Sequence, residues 1–301
     1  MAPSWLIFSA CLILLEYLLR AVRWGVLHQE VDPEVRLADL WVATTIGNAF
    51  NTLLPLRAGD IVRPAVLAQR REIPFTTVLS TAIVERIFEL AGVVLALLVL
   101  LINLPEDMLS SGGLVADVQH HGVTVAGIAL ALIVAVVFLG GTGGRGLVAL
   151  LVKPMPRRWE LRVLAVFDQI TLGLAAVGNP LRLFGATILT ALSITCGVGA
   201  IWSLFQAFGT DLSVSGCLFL QLALMAQIAI PQAPGFLGGF QFVMEEAVLL
   251  WNIEEGLAEA SAIMLWLVWF APITIWGMVD AWRQGISLGR FSEDLLGDAE
   301  D

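Results

Sequence analysis

Long apolar runs dominate the chain, and five of them are long enough to cross a membrane as helices. Each covers about 19 residues or more, and about 20 residues at about 1.5 Å per residue span the ~30 Å hydrocarbon core of a bilayer. The predicted spans are residues 4–22, 77–102, 122–140, 183–208 and 260–281.

Two further apolar regions, residues 38–72 and 215–251, are interrupted by turn-forming residues. The first contains NTLLPLRAGDIVR (Asn51–Arg63) and the second contains AIPQAPGFLGGFQF (Ala229–Phe242). Proline breaks a helix and glycine lets backbone segments approach closely. Each region is therefore predicted to be a broken helical hairpin, either re-entrant or of full depth.

The distribution of basic residues predicts how these segments are oriented. Connections without any lysine or arginine but with several acids are residues 103–121, 209–215 and 252–259. Basic residues fill the other connections, which the positive-inside rule places in the cytoplasm. Segments 23–37 and 63–76 are then both cytoplasmic, so the first hairpin enters from the cytoplasm and returns, while the second enters from outside. The N-terminus is predicted to be external and the C-terminus cytoplasmic.

The two ends of the chain show a similar order of elements. Pro55 followed by Gly59 parallels Pro234 followed by Gly238, at an offset of 179 positions. Because the hairpins are predicted to open in opposite directions, this order predicts an inverted repeat, a common transporter design. The predicted fold is all-α: a polytopic membrane bundle of about five spans and two broken hairpins.

This order also divides the chain into segments. A single transmembrane domain is predicted over residues 1–291, and the acidic end, 292–301, is predicted to be a disordered tail. The parts of the domain are repeat one (4–102), a linker (103–182) and repeat two (183–282). Apolar residues at three- or four-residue spacing between residues 156 and 177 predict a helix on the cytoplasmic surface.

Composition agrees with a membrane protein and excludes several functions. The chain is 58% hydrophobic and 14% charged, with a mean hydropathy of +0.87 and a formal net charge of −10. A soluble domain carries about 25% charged residues. No basic tract suits nucleic acid, and the three cysteines and three histidines form no ligand pattern. Neither a metal nor a cofactor is predicted.

Charged residues within the apolar regions are the candidates for a binding site. Arg57, Asp60 and Arg63 lie on the first hairpin, where arginine forks suit a lipid phosphate, or else act as snorkelling anchors. Glu85 and Arg86 lie deep in the second span, where a charge needs a partner, so they bind substrate or form a packing ion pair with Glu89. Asn48 and Asn51 bridge broken backbone or contact substrate. Glu16 and Arg20, four apart on the first span, are interpreted as a structural pair.

The second hairpin supplies neutral polar groups and one acid. The residues predicted to line the site there are Gln232, Pro234, Gly235, Gly238, Gln241 and Glu245. Glycine and proline permit a helix break beside the substrate, and Glu245 is a candidate proton-coupling carboxylate.

Four motifs together resemble the transmembrane region of lysylphosphatidylglycerol synthases. They are Arg23-Trp24, G-N-x-x-N-x-x-x-P-x-R-x-G-[DE]-x-x-R at Gly47–Arg63, Glu85-Arg86, and APGFLGGF at Ala233–Phe240. The resemblance implies a flippase-like translocator of polar lipids. Gln241 stands where the family usually has an acid, and the soluble aminoacyl-transferase domain is missing, so lysyl transfer is not expected.

The function expected is therefore transport rather than catalysis. The protein is predicted to be a flippase of a polar lipid with an anionic head group, or of a lipid-linked precursor such as a polyprenyl-linked one, in the cell (inner) membrane. Its predicted partners are membrane lipids and an envelope glycosyltransferase or lipid-modifying enzyme. Two alternatives stay open: an intramembrane enzyme acting on a lipid phosphate, and a non-transporting accessory subunit of an envelope lipid or glycan pathway.

Overall fold

The computed structural model describes residues 2–103, 144–153, 179–229 and 233–286, together with scattered positions between 122 and 168. Its elements are all helical over these residues. The helices are α1 (Pro3–His28), α2 (Leu37–Leu53), α3 (Gly59–Arg71), α4 (Phe75–Asn103), α5 (Gly144–Val152), α6 (Pro180–Phe208), α7 (Val214–Ala229), α8 (Gly239–Leu249) and α9 (Glu255–Arg283). Short 3-10 turns at Pro55–Arg57 and Pro234–Phe236 precede α3 and α8.

Three of the described helices, α1, α6 and α9, are long and apolar enough to cross a membrane. Helix α4 is as long as α6 and α9, at 29 residues, but it carries Glu85, Arg86 and Glu89 near its middle. The prediction of an all-α, membrane-type helical protein is confirmed. The number of spans stays a prediction.

Helix α1 is longer than its predicted span, and this corrects the assignment of one arginine. The apolar pattern predicts a span that ends at residue 22 and a cytoplasmic loop over residues 23–37. Arg23 instead lies within α1 and is 1% exposed. Arg63, counted among the basic loop residues, is also buried, within α3. Both side chains stay inside because carboxylates on α4 pair with them.

The first interrupted region folds as a helical hairpin, as predicted. Helices α2 and α3 pack against each other across the 3-10 turn. A side chain on Gly59 would collide with the backbone oxygen of Gly47, and one on Gly47 would come within 2.6 Å of the Arg63 Cβ. The two glycines therefore set how closely α2 and α3 cross.

The second interrupted region is also a helical hairpin, formed by α7 and α8. Gly235 and Gly238 both adopt positive φ angles, of 75° and 84°, in the turn between them. The indole Nε1 of Trp266 on α9 donates a hydrogen bond of 2.7 Å to the Gly235 carbonyl. The two glycines permit the positive φ angles of the turn, and the hydrogen bond from Trp266 fixes its path.

The two hairpins open towards opposite ends of the bundle. Arg71, at the end of α3, pairs with Asp32, just beyond the end of α1, at 2.7 Å. At the other end, the backbone N–H of Ala2 donates to the carbonyl of Ala207, close to the connection into α7. The Asp32–Arg71 pair and the Ala2–Ala207 hydrogen bond are separated by the 26 residues of α1, or about 39 Å. The inverted repeat itself stays a prediction.

The turns of the hairpins meet inside the bundle. Arg57 of the first turn donates a hydrogen bond of 2.7 Å to the carbonyl of Ile228, near the end of α7. Helix α1 packs along α6, α9 packs against α2, and α4 contacts both α6 and α7. Each half of the chain therefore contributes a long helix, α9 or α4, that packs against the hairpin of the other half.

Several predictions fall outside the described residues, wholly or largely. They concern the span 122–140, the surface helix between 156 and 177, the acidic tail 292–301 and the side chain of Gln232.

Candidate functional site

Nine charged side chains from α1, α4 and the first hairpin form one connected group, the arginine–carboxylate cluster. Its members are Glu16, Arg20, Arg23, Arg57, Asp60, Arg63, Glu85, Arg86 and Glu89. Five of the predicted site residues belong to it: Arg57, Asp60, Arg63, Glu85 and Arg86.

Glu85 bridges two buried arginines. One carboxylate oxygen accepts a hydrogen bond from Arg23 at 3.0 Å, and the other lies 2.9 Å from a nitrogen of Arg63. The Arg63 guanidinium also stacks over the Trp24 ring, 4.1 Å from its centroid. A charge removed from water is tolerated when a counter-charge and hydrogen bonds compensate it, and Glu85 supplies both.

Arg23 makes the most contacts in the buried part of the cluster, and it is not among the predicted site residues. It donates to Glu85, to Glu89 at 2.8 Å and to the Thr190 hydroxyl at 3.1 Å. A signal was present: Glu16, Arg20 and Arg23 recur four and three residues apart in an apolar segment, which places them on one helical face. Ending the predicted span at residue 22 hid this pattern.

Arg86 belongs to the more open part of the cluster. Its guanidinium pairs with Glu89 at 2.6 Å and with Asp60 at 2.7 Å, while 42% of its side chain is exposed. The predicted pair of Arg86 with Glu89 is confirmed, as is the pair of Glu16 with Arg20 at 2.7 Å. Arg86 is therefore a cation that is both held in place and accessible.

The first turn connects the cluster to the second hairpin. The Nε atom of Arg57 donates to Asp60 at 3.0 Å, while its Nη1 atom donates to the Ile228 carbonyl. It does so with a φ of 57°, a conformation uncommon outside glycine and asparagine. Asp60 is thereby shared between Arg57, Arg86 and the Asn51 amide, which donates to it at 3.0 Å.

Arginines outnumber carboxylates in this cluster. Five arginines face four carboxylates, so the fully ionised group carries a net charge of +1. Arg63 also has two buried nitrogens, Nε and Nη2, with no hydrogen-bond partner among the described residues. Unpaired cationic donors at a net-positive site favour the binding of an anion.

The other predicted residues have structural contacts of their own. Asn48 donates to the Thr44 carbonyl within α2, at 2.8 Å. Gln241 accepts a hydrogen bond from the Gly238 backbone N–H, at 2.8 Å, at the start of α8, and Pro234 opens the second turn. Glu245 lies with Glu255 and Glu259, their carboxylate oxygens within 4.8 Å of one another.

Ion pairs outside the bundle interior hold the open end of the first hairpin. Asp32, in the connection between α1 and α2, accepts a hydrogen bond from Arg71, which lowers the pKa of its carboxyl. Asp39 pairs with Arg70 at 2.5 Å, and Glu30 pairs with Arg182. These contacts fix the positions of the ends of α1 and α3 and of the start of α6 relative to one another.

Comparison with known proteins finds a matching family and a curated relative. The family described as lysylphosphatidylglycerol synthase TM region matches residues 1–277. The glycosyltransferase AglD of Haloferax volcanii is 27% identical over 264 residues, covering 79% of this chain and 42% of its own length. The chain thus spans less than half of that relative. No solved structure matches significantly.

Proposed function

This chain belongs to the lysylphosphatidylglycerol synthase transmembrane-region family, and from that premise we propose that it translocates a polar lipid. The substrate is a lipid, or a lipid-linked precursor, with an anionic head group. The protein moves it between the leaflets of the cell membrane and does not alter it chemically.

The arginine–carboxylate cluster is the observation that supports this proposal most. Arginine binds phosphate through two parallel hydrogen bonds and stays charged when partly buried. Arg86 is half-exposed, pairs with two carboxylates and lies in a net-positive group. An incoming phosphate replaces Asp60 or Glu89 as its partner, so binding exchanges one ion pair for another.

The hairpins suggest how access to this site alternates. They open towards opposite ends of the bundle, and their turns touch through Arg57 and the Ile228 carbonyl. Broken helices that meet near the middle of a membrane are how many transporters expose one site to each side in turn. In this mechanism, Arg57 exchanges its hydrogen bond to the Ile228 carbonyl for another contact when the site changes the side of the membrane to which it is open.

Flipping of labelled phosphatidylglycerol in proteoliposomes tests the proposal. We expect the native protein to expose inner-leaflet label to external dithionite. Arg86→Gln should slow the exchange by about tenfold or more, because a charge-assisted hydrogen bond contributes about 1.5–3 kcal/mol and each 1.4 kcal/mol is about tenfold. Arg71→Gln is the matched control, since it removes an arginine outside the cluster. No exchange by native protein across a panel of anionic lipids would contradict the proposal.

A second candidate function is that of a non-transporting subunit of an envelope glycan or lipid pathway. It is favoured by the similarity to the glycosyltransferase AglD, whose length exceeds the matched region. Co-purification of a stoichiometric enzyme, together with no lipid flipping by the isolated protein, would support this function over transport.

A further inference from the structure

Glu16 differs from the other carboxylates of the arginine–carboxylate cluster in how few arginines pair with it. Glu85, Glu89 and Asp60 each pair with at least two arginines. Among the described residues Glu16 pairs with Arg20 alone, at 2.7 Å, although only 2% of its side chain is exposed. A buried charge with a single counter-charge is poorly compensated. Glu16 is therefore the carboxylate of the cluster that most easily becomes neutral by binding a proton.

Only one of the two Glu16 oxygens has a partner. Oε1 accepts the hydrogen bond from Arg20, while Oε2 is buried and has no hydrogen-bond partner in the described part of the chain. An ionised carboxylate only accepts hydrogen bonds, whereas a protonated one also donates one. A proton on Oε2 would leave the contact between Oε1 and Arg20 in place as a weaker, neutral hydrogen bond.

Other unpaired polar atoms belong to residues around the same small pocket, of about 10 Å³. Glu16, Arg23 and Gln221 all line it. The atoms without a hydrogen-bond partner among the described residues are Glu16 Oε2, Gln221 Oε1, Gln221 Nε2 and Arg23 Nε. They amount to two acceptors and two donors. A water molecule can serve both kinds, and this volume is close to the smallest that holds one.

Gln221 on α7 is held at this pocket by the shape of α6. It is fully buried, and a Cβ added to Gly197 would come within 2.6 Å of both of its amide atoms. The missing side chain of Gly197 thus leaves the space that the amide occupies. A buried amide without partners costs free energy, so its retention here indicates that a water molecule completes its hydrogen bonds.

We propose that Glu16 is a proton-binding site and that one water molecule in this pocket delivers the proton. The water gives a proton to Oε2, where an O–H bond forms. It takes another proton from solvent that reaches the open part of the cluster beside Glu89, so the water itself is regenerated. Neutral Glu16 no longer holds Arg20 by charge, and the Arg20 guanidinium, on a side chain that is 23% exposed, becomes free to bind an anion.

The titratable groups that face Glu16 come from three helices. They are Tyr17, Arg20 and Arg23 on α1, Glu89 on α4 and Cys196 on α6. From α7 the pocket is lined by neutral side chains, those of Gln221 and Met225. Glu89 repels a charge on Glu16, and Arg23 already donates to both Glu85 and Glu89. The attraction of Arg20 is therefore the main contribution that keeps Glu16 ionised, and an anion that draws Arg20 away favours protonation.

A proton on Glu16 changes which anions the cluster matches. The fully ionised cluster carries +1, and one added proton makes +2. The first state neutralises a singly charged phosphodiester and the second a doubly charged phosphate monoester. Because binding linkage is reciprocal, a doubly charged anion takes up a proton as it binds. Extending this to a transported lipid rests on the proposed function, whereas protonation of Glu16 does not.

Proton uptake on anion binding tests the coupling. Sulfate carries two negative charges and takes no proton in mildly acidic solution, so any proton that disappears has bound to the protein. We expect the purified full chain, in weak buffer with a pH indicator, to take up as much as one proton when sulfate is added. Methyl sulfate, with one charge, should cause no uptake. Glu16→Gln keeps an acceptor for Arg20 but should abolish the uptake.

Glu245→Gln is the matched control for this experiment, because Glu245 is a carboxylate of a half-helix outside the cluster, next to Glu255 and Glu259. This variant should take up protons like native protein. The coupling would be overturned by native protein that takes up no proton with sulfate, or by Glu16→Gln that takes up as many. Uptake lost in Glu245→Gln instead would assign the proton to the second hairpin.

Infrared difference spectra between acidic and neutral solution test the proton site itself. A buried protonated carboxyl group gives a carbonyl band of its own, which we expect to be absent from Glu16→Gln and present in Glu245→Gln. Gln221→Leu should shift this band, because the water that accepts the hydrogen bond from the protonated carboxyl loses the amide. A band that is unchanged in Glu16→Gln would overturn the site, and one unshifted in Gln221→Leu would overturn the role of the water.

The two proposals fail in different ways. Protonation of Glu16 in a protein that flips no lipid would contradict the proposed function alone. Lipid flipping by a protein that shows neither the Glu16 band nor proton uptake with sulfate would contradict this inference alone.

Discussion

Glu85 shows how much depends on a single carboxylate in an apolar bundle. It is the shared partner of Arg23 and Arg63, which reach it from α1 and α3. Removing its charge leaves Arg63 without its carboxylate partner and Arg23 with Glu89 alone. Removing one partner of a buried ion pair costs about 3–5 kcal/mol, because a charge is left uncompensated.

We therefore predict that Glu85→Gln destabilises the protein by about 3 kcal/mol or more. The midpoint of thermal unfolding in detergent measures this. Glu254→Gln, at an exposed position before α9, is the matched control and should unfold like native protein. Equal midpoints for the two variants would contradict the bridging role of Glu85.

Pairs within one helix could be predicted from the sequence, and pairs between helices could not. The spacing of Glu16 with Arg20, and of Arg86 with Glu89, fixes a shared helical face whatever the fold. Asp60 and Arg63 have the same spacing, yet they pair with different residues, Arg86 and Glu85. Tertiary contacts decide between such partners, and spacing along one helix contains no information on them.

At the scale of elements, the break in each apolar region was predictable because proline and glycine act locally. The two hairpins match in detail. The positive-φ residues Arg57 and Phe236, in the turns, are 179 positions apart, and Glu72 and Asn252, beyond the second helix of each hairpin, are 180 apart. Helices α4 and α9 both have 29 residues and also begin 180 positions apart. The depth of these hairpins in a membrane depends on the helices packed around them, and a local sequence pattern does not specify those contacts.

The crossing of α2 and α3 gives a prediction for Gly59. A Cβ there would overlap the Gly47 backbone oxygen, which cannot move as the end of a flexible side chain can. Gly59→Ala should therefore destabilise the protein by about 1–3 kcal/mol, the usual cost of overpacking. Thermal unfolding measures this, and Gly185→Ala, where a Cβ meets nothing within 4 Å, should be neutral or slightly stabilising.

The contact between the α1–α2 connection and α3 gives a pH-dependent prediction. Since the Arg71 hydrogen bond lowers the pKa of Asp32, the pair stabilises the folded protein above the unfolded pKa of about 3.9. The contribution is lost as pH falls through the folded pKa. Asp32→Asn should thus lower the unfolding midpoint slightly at neutral pH and progressively less in acid. Glu34→Gln serves as the control, and a difference that grew in acid would contradict the pairing.

At the scale of the whole molecule, the opposed hairpins make a topological prediction. After replacement of Cys11, Cys196 and Cys217, single cysteines are introduced at Glu34, Gln69 and Glu254. Positions 34 and 69 should react with an impermeant reagent from the same side of the membrane, because Asp32 and Arg71 touch. Position 254 should react from the other side. Labelling of 34 and 69 from different sides would contradict the hairpin.

The excess of one positive charge in the arginine–carboxylate cluster has an electrical consequence. An empty site carries about one elementary charge, and a site holding a monoanion carries none. Moving an elementary charge through a potential of 100 mV changes its energy by about 2.3 kcal/mol. The membrane voltage would therefore act on the return of the empty carrier but not on the movement of the loaded carrier. Transient currents on a supported bilayer should then shrink as lipid saturates the site.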